Sequence, residues 1–251
     1  MTSTASLPTV SPAPTLAGQT VLVIGGSAGI GYSTAQAARS AGADAIITAR
    51  NAERLSHAAS ELGAVRSAAF DATDPAALEA FFTSLTAPVD HVLVSAGRPY
   101  YAPLAEMDLE QAARSFDDHV WLAFRVAQLA RAAVRPGGSL TFIGGTGGRR
   151  TGIGLGAISV GTVGMPAAVR NLALELAPTR VNLIAPGFVD TGLSAELLGD
   201  GLDARRQQLR DSLPIGRVVG PDDIAALAVH LMTNTALTGA TFDIGGGQQL
   251  L

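Results

Sequence analysis

From Gln19 onward the chain alternates short, almost continuously apolar runs with longer runs rich in alanine and leucine. The short runs are TVLVIG (20–25), DAIITA (44–49), VRSAAF (65–70), HVLVSA (91–96), SLTFIG (139–144), RVNLIA (180–185) and TFDIG (241–245). Their lengths and β-branched content fit strands. The longer runs predict helices over roughly 29–41, 51–62, 75–85, 106–134, 155–177 and 221–233. Near-continuous apolar strands that alternate with helices belong to a parallel sheet covered on both faces, with right-handed crossovers. The segment 191–215 interrupts the alternation and reads as a helical excursion over the mouth of a site.

No internal repeat and no second composition zone appears, so 18–251 is read as one domain. Residues 1–17, MTSTASLPTVSPAPTLA, lack a basic start and an unbroken apolar run. They read as a disordered N-terminal arm rather than a signal peptide.

Composition narrows the function classes. The chain has 251 residues, 47% apolar and 15% charged, enough to bury one sizeable core. The net charge is −4 with no basic block, which argues against nucleic acid or an anionic membrane as partner. No run of about 18 apolar residues stands out, so no membrane span is expected. The reading is a cytoplasmic protein that acts on a small molecule. Cysteine is absent, which excludes disulfides, thiolate chemistry and cysteine-ligated zinc, and no metal site is expected. Lysine is absent as well: all 17 basic residues are arginine.

The most informative stretch is VLVIGGSAGIGYSTAQAAR, which runs strand, glycine turn, helix. Gly25, Gly29 and Gly31 follow the spacing G-x-x-x-G-x-G. Such glycines permit a tight turn and close approach of backbone to a pyrophosphate, and the helix start offers free N–H groups. The fold class is therefore α/β, a Rossmann-type doubly wound parallel sheet of about seven strands with helices on both faces. The second strand ends in Ala49 and Arg50, where a carboxylate would bind a ribose 2′-hydroxyl. A guanidinium pairs with a 2′-phosphate, so NADP(H) is favoured over NAD(H).

With these motifs in place, residues 17–250 resemble the short-chain dehydrogenase/reductase family. The loop matches T-G-x-x-x-G-x-G with Ile24 for the threonine, FDATD resembles the stretch near the adenine, and VSAG (94–97) stands in place of N-N-A-G. NLALELAPTRVNLIAPGFVDT, IGRVVGPDDIAALAVHLM and LTGATFDIGGG are similar to the family's nicotinamide side and C-terminal third. The resemblance implies cofactor contacts from Gly25, Ser27, Gly29, Ile30 and Gly31, from Arg50, Asp71 and Ala72, from Ser95, Ala96 and Gly97, and from Pro186, Gly187, Val189 and Thr191. It also implies a homodimer or homotetramer built on the long apolar runs 120–134 and 163–177.

The family's catalytic set is Asn, Ser, Tyr and Lys, with the last two as Y-x-x-x-K. Carried over by position, these fall on His119, Gly145, Ile158 and Thr162, so none matches. No change of register restores the motif, because tyrosine occurs only at 32, 100 and 101 and lysine nowhere. Loss of a positioned general acid costs on the order of 10²–10⁴ in rate. Candidate catalytic residues are His119, whose imidazole titrates near neutrality, Tyr100 and Tyr101 beside the cleft, and the hydroxyls of Ser159 and Thr162. Asp118 reads as structural and pointing elsewhere. Arg149 and Arg150 sit on the loop after the fifth strand, solvated or facing an anionic substrate. Three functions remain open. One is an NADPH-dependent reductase of C=N, activated C=C or C=O bonds. Another is a non-redox enzyme with His119 as general base. The third is a catalytically silent NADP(H)-binding protein.

Overall fold

A computed structural model describes residues 15–251. The arm expected over 1–17 therefore lies mostly outside the described residues. Its last part is not an arm: Leu16 is fully buried, and Leu16 N–H donates to the Ala41 carbonyl at 2.8 Å. One leucine after a polar stretch carries no compositional signal, yet it packs into the core with Val21, Ala38 and Ala43.

All seven expected strands form. They are β1 (Thr20–Ile24), β2 (Asp44–Ala49), β3 (Arg66–Ala69), β4 (Val89–Val94), β5 (Val134–Ile143), β6 (Arg180–Pro186) and β7 (Thr241–Ile244). They make one parallel sheet of order β3-β2-β1-β4-β5-β6-β7. The helices are α1 (Gly29–Ser40), α2 (Ala52–Leu62), α3 (Pro75–Thr83), α4 (Leu109–Phe116), α5 (Leu122–Ala133), α6 (Gly156–Glu175), α7 (Gly192–Leu198), α8 (Leu202–Ser212) and α9 (Pro221–Thr233). Two apolar clusters cover the sheet. One joins it to α3, α5 and α6 through Leu78, Val126 and Val169; the other joins it to α1, α2 and α9 through Ala35, Leu55 and Ile224.

Local chemistry sets the helix ends. Asp74 Oδ1 accepts from Ala76 and Ala77 N–H and Pro75 opens the first turn of α3, while Asn51 Oδ1 accepts from Arg54 N–H at 2.8 Å to start α2. Each such cap is worth about 1 kcal/mol. Gly63 ends α2 in the left-handed region at φ 58°. The expected excursion over 191–215 resolves into α7 and α8 joined by a short turn.

The helix expected over 106–134 is not continuous. It divides into α4 and α5 around a π-helical turn, Asp117–Trp121, where Leu122 N–H reaches back to the Asp117 carbonyl. A π turn needs no glycine or proline, so residue type does not announce it, and such turns concentrate at functional sites.

At the opposite end of the sheet His91 is buried and neutral: Nε2 donates to Gln19 Oε1 at 2.6 Å and Nδ1 accepts from the Ser139 hydroxyl at 2.8 Å. Burial, then the charge of Arg180, lowers its pKa from 6.5 to about 4, against a smaller opposing pull from Asp90. The unfolded chain takes up this proton near pH 6.5 and the folded chain only near 4, so stability is full above the first value and falls as pH drops towards the second. The loss is up to about 3 kcal/mol. Urea midpoints measured between pH 7 and 4.5 should show this slope, and His91→Asn should flatten it.

Candidate active site

β1 and β4 are neighbours whose connections leave in opposite directions, so a crevice opens at their carboxyl ends. Two glycines close its floor. A Cβ on Gly25, at φ +98°, would sit 2.7 Å from Ala96 N and 2.8 Å from Ser95 Oγ. A Cβ on Gly31 would overlap the Gly25 carbonyl and lie 2.5 Å from Ser95 Oγ. Ser95 ties the two turns together, its hydroxyl within 3.2 Å of the Gly25 carbonyl and its N–H donating to Ile24. Ala96 N–H also donates to Ile24, and Gly97 adopts φ +123°. Gly29, at φ +53°, faces Thr191 across the loop. Ser27 is buried and Ile30 half-buried beside them. α1 begins after Ala28 with no side-chain cap and no acid in its first turn, so its N–H groups remain available to an anion. Backbone that only glycine fits, next to free N–H donors, suits a pyrophosphate.

On one flank Arg50 is exposed at the end of β2, Ala72 is buried, and Asp71 accepts from Thr73. Asp118 belongs to this flank too. Burial first and then the Asp71 carboxylate raise its pKa, while His119 and Arg50 pull it back. Asp118 thus faces away from the side expected for His119, towards Asp71 and Arg50.

On the other flank Gly145 meets Thr162, and Ile158 lies one turn before Thr162 on α6. A Cβ on Gly145 would meet Thr162 Cγ2 at 3.5 Å, and one on Gly147 would meet Ile158 Cγ2 at 3.6 Å. The His119 ring lies 3.4 Å from the Cβ position of Gly97. Gly161 packs towards Val120, which brings α6 against the π turn. The polar atoms here are largely committed. Thr162 Oγ1 donates within its own helix, to the Ile158 or Ser159 carbonyl, and Ser159 Oγ donates to Gly147. His119 Nδ1 donates to the Ser115 carbonyl at 3.3 Å, which leaves Nε2 as an acceptor. Burial lowers the His119 pKa, with smaller opposing effects from that hydrogen bond and Asp118. The imidazole is therefore neutral near pH 7.

Above the crevice, the segment after β6 is pinned from three sides. Pro186 accepts from Thr146 N–H, Gly187 N–H donates to Ile244, and Phe188 N–H donates to Gln248 Oε1 at 2.7 Å. Val189 is buried and bridges to Val219. Thr191 caps α7 through Ser194 N–H. Arg206 then clamps α8 down, its Nε and Nη2 donating to the two Asp190 oxygens at 2.9 and 2.8 Å. Neither Gln248 nor the Arg206–Asp190 pair was legible in the sequence, because both link segments distant in order. Tyr100 OH accepts from Asp108 N–H at 2.8 Å and so supports the start of α4. Tyr101 is half exposed, on a loop held by the Ala102 N–H bond to Gly154. Arg149 pairs with Asp243. Among the described residues no cluster of three or more His, Asp or Glu has the spacing of a metal site.

Comparison with known proteins agrees with this geometry. The family model described as enoyl-(acyl carrier protein) reductase matches residues 25–249. A short-chain dehydrogenase/reductase of Stachybotrys chlorohalonatus, ATR9, is 30% identical over 93% of this chain and 98% of its own. The solved structure of MalC from Malbranchea aurantiaca, named a reductase/Diels-Alderase, superposes with a TM-score of 0.86 at 26% identity, covering 94% of this chain and 98% of that one. A small-chain dehydrogenase in complex with NADPH superposes with a TM-score of 0.79 at 26% identity, covering 93% and 99%. The parallel sheet, the glycine crevice and these relatives together place the chain in the short-chain dehydrogenase/reductase family, as an oxidoreductase of that type.

Proposed function

We propose that the protein is an NADP(H)-dependent reductase with a non-standard active site, acting on a C=N bond, or on an activated C=C bond, in preference to a ketone. A bound dinucleotide would supply a hydride. The chain's own residues would do the rest: the glycine turn and the start of α1 would hold pyrophosphate, Arg50 would pair with a 2′-phosphate, and Pro186 to Thr191 would lie on the nicotinamide side. The observation that carries the reading is Ile158, 8% exposed, standing where the family places its acid. A ketone needs a proton at oxygen as hydride arrives; an iminium already carries its positive charge. His119 supports the same choice, because a neutral ring with Nε2 as acceptor favours a cation nearby rather than donating a proton.

The NADPH preference rests on Arg50 and on the absence of a carboxylate at Ala49, and the NADPH-bound neighbour supports it. The same face of α6 that carries Val160 and Val163 continues to Leu174, 79% exposed, and Trp121, at the end of the π turn, is half exposed. α6 is long and apolar enough by composition to pass for a membrane span, though its Ile158, Met165, Val169 and Leu172 are buried against the domain. A second copy of the chain, in a homodimer or homotetramer, suits that surface better than lipid.

Loss of NADPH absorbance should be followed with a panel of cyclic imines, enones and ketones. Turnover of imines or enones, with ketones slower by about 10² or more, is expected from the missing acid. No turnover across the panel contradicts the reading. A second reading, non-redox chemistry in the same cleft with His119 as base, is favoured by one observation, the Diels-Alderase in the name of the MalC neighbour. It requires product without net change in the cofactor, and loss of that product in His119→Ala.

A further inference from the structure

The helix α7 is only lightly held. None of its seven residues is buried, and Leu193, Leu197 and Leu198 all remain exposed, so apolar burial does little to keep it in place. The pairing of Arg206 with Asp190 secures the stem before α7, not α7 itself. Its start lies over the glycine turn: the Thr191 methyl is 3.4 Å from the Cβ position of Gly29, the first residue of α1. Five residues on, Glu196 Oε1 lies 2.9 Å from Arg98 Nη2, in the loop that leaves β4. The helix thus runs from the β1 turn to the β4 loop, from one wall of the crevice to the other. Past Leu198 the chain enters an exposed turn, 199–201. Arg98, in contrast, stands on fixed backbone. Its carbonyl accepts from the hydroxyl of buried Ser115 at 3.0 Å, and a Cβ on the preceding Gly97 would lie 3.1 Å from the Asp118 carbonyl.

We infer that the Arg98–Glu196 ion pair is a latch: it holds α7 as a strap across the crevice, and its opening sets how fast a dinucleotide leaves. Both side chains are about half exposed, at 46% and 61%. An exposed pair biases a lid towards closure by a few-fold and still opens readily, which suits an element that must move at every exchange. The inference rests on reading this crevice as a dinucleotide site, and goes beyond that reading in naming what controls release.

Stopped-flow displacement gives the rate of NADPH release from the loaded protein. Arg98→Gln and Glu196→Gln should each speed release about two- to fivefold, the range an exposed ion pair supplies. The double variant should release no faster than either single one, and Arg98→Glu combined with Glu196→Arg should return towards the original rate. At about 0.5 M salt the gap between the original protein and its variants should close. If Arg98 instead gripped a cofactor phosphate, Glu196→Gln would free it to do so and release would slow; that result overturns the inference. Unchanged release in both single variants, or effects that simply add, overturns it too. Hydrogen exchange on the free protein reads the same latch without cofactor: the α7 amides should exchange faster in both single variants. If NADPH does not bind, the dinucleotide reading fails on its own, and exchange still decides the latch, faster rates supporting it and unchanged rates overturning it.

Discussion

Gly31→Ala is expected to weaken dinucleotide binding by about a hundredfold or more. The added methyl would overlap the Gly25 carbonyl and approach Ser95 Oγ to 2.5 Å. Neither neighbour can yield cheaply. The Gly25 carbonyl belongs to a turn whose N–H donates to Thr48 at 2.9 Å, and Ser95 is held by Ile24. Overpacking of this kind costs about 1–3 kcal/mol. The strain falls on the turn that must meet pyrophosphate, so affinity for NADPH should fall by about a hundredfold or more, which corresponds to roughly 2.7 kcal/mol. Titration of NADPH by calorimetry, with a thermal melt alongside, reads both effects. Gly156→Ala is the control, since a methyl there meets nothing within 4 Å and α6 should gain slightly. Unchanged NADPH affinity in Gly31→Ala would show that the glycine turn is not the phosphate site.

The second large effect is a gain. Gly145→Ser, Ile158→Tyr and Thr162→Lys together should raise ketone reduction by about 10²–10⁴, the contribution of a positioned acid. Positions 158 and 162 are one turn apart on α6 and share a face. A Cβ at 145 meets only Thr162 Cγ2 at 3.5 Å and the Pro186 carbonyl at 3.8 Å, so the serine is sterically admissible. The lysine replaces a buried threonine, so stability should fall even as activity appears. Initial rates of NADPH oxidation with a simple ketone, before and after substitution, give the answer. A variant that folds and binds NADPH yet reduces no ketone would mean that these positions do not face the reacting bond.

The strands were legible because each is a short apolar run bounded by turn residues, and parallel strands buried on both faces leave that mark. β5 is the partial exception: it begins at Val134, five residues before its expected start, through Pro136 and two glycines that read as a turn. The tight glycine turn was legible because only glycine fits there, and the absence of Y-x-x-x-K because a missing residue type is independent of alignment. What stayed hidden depends on distant partners. Leu16 takes its meaning from Ala41 and Gln248 from Phe188, and the π turn at 117–121 is signalled by no residue type. Thr162 and Ser159 are candidate hydroxyls or ordinary helix residues by sequence; in the fold their protons go to nearby carbonyls, as for ordinary helix residues.

The central claim is that this cleft transfers hydride to a bond that needs little acid. The most direct measurement is a single-turnover mixing experiment with NADPH deuterated at the transferring position, against a cyclic iminium and the corresponding ketone. Loss of NADPH absorbance is expected with the iminium, slowed by the deuterium, and no comparable loss with the ketone. Equal rates for both, or no isotope-sensitive loss with either, would contradict it.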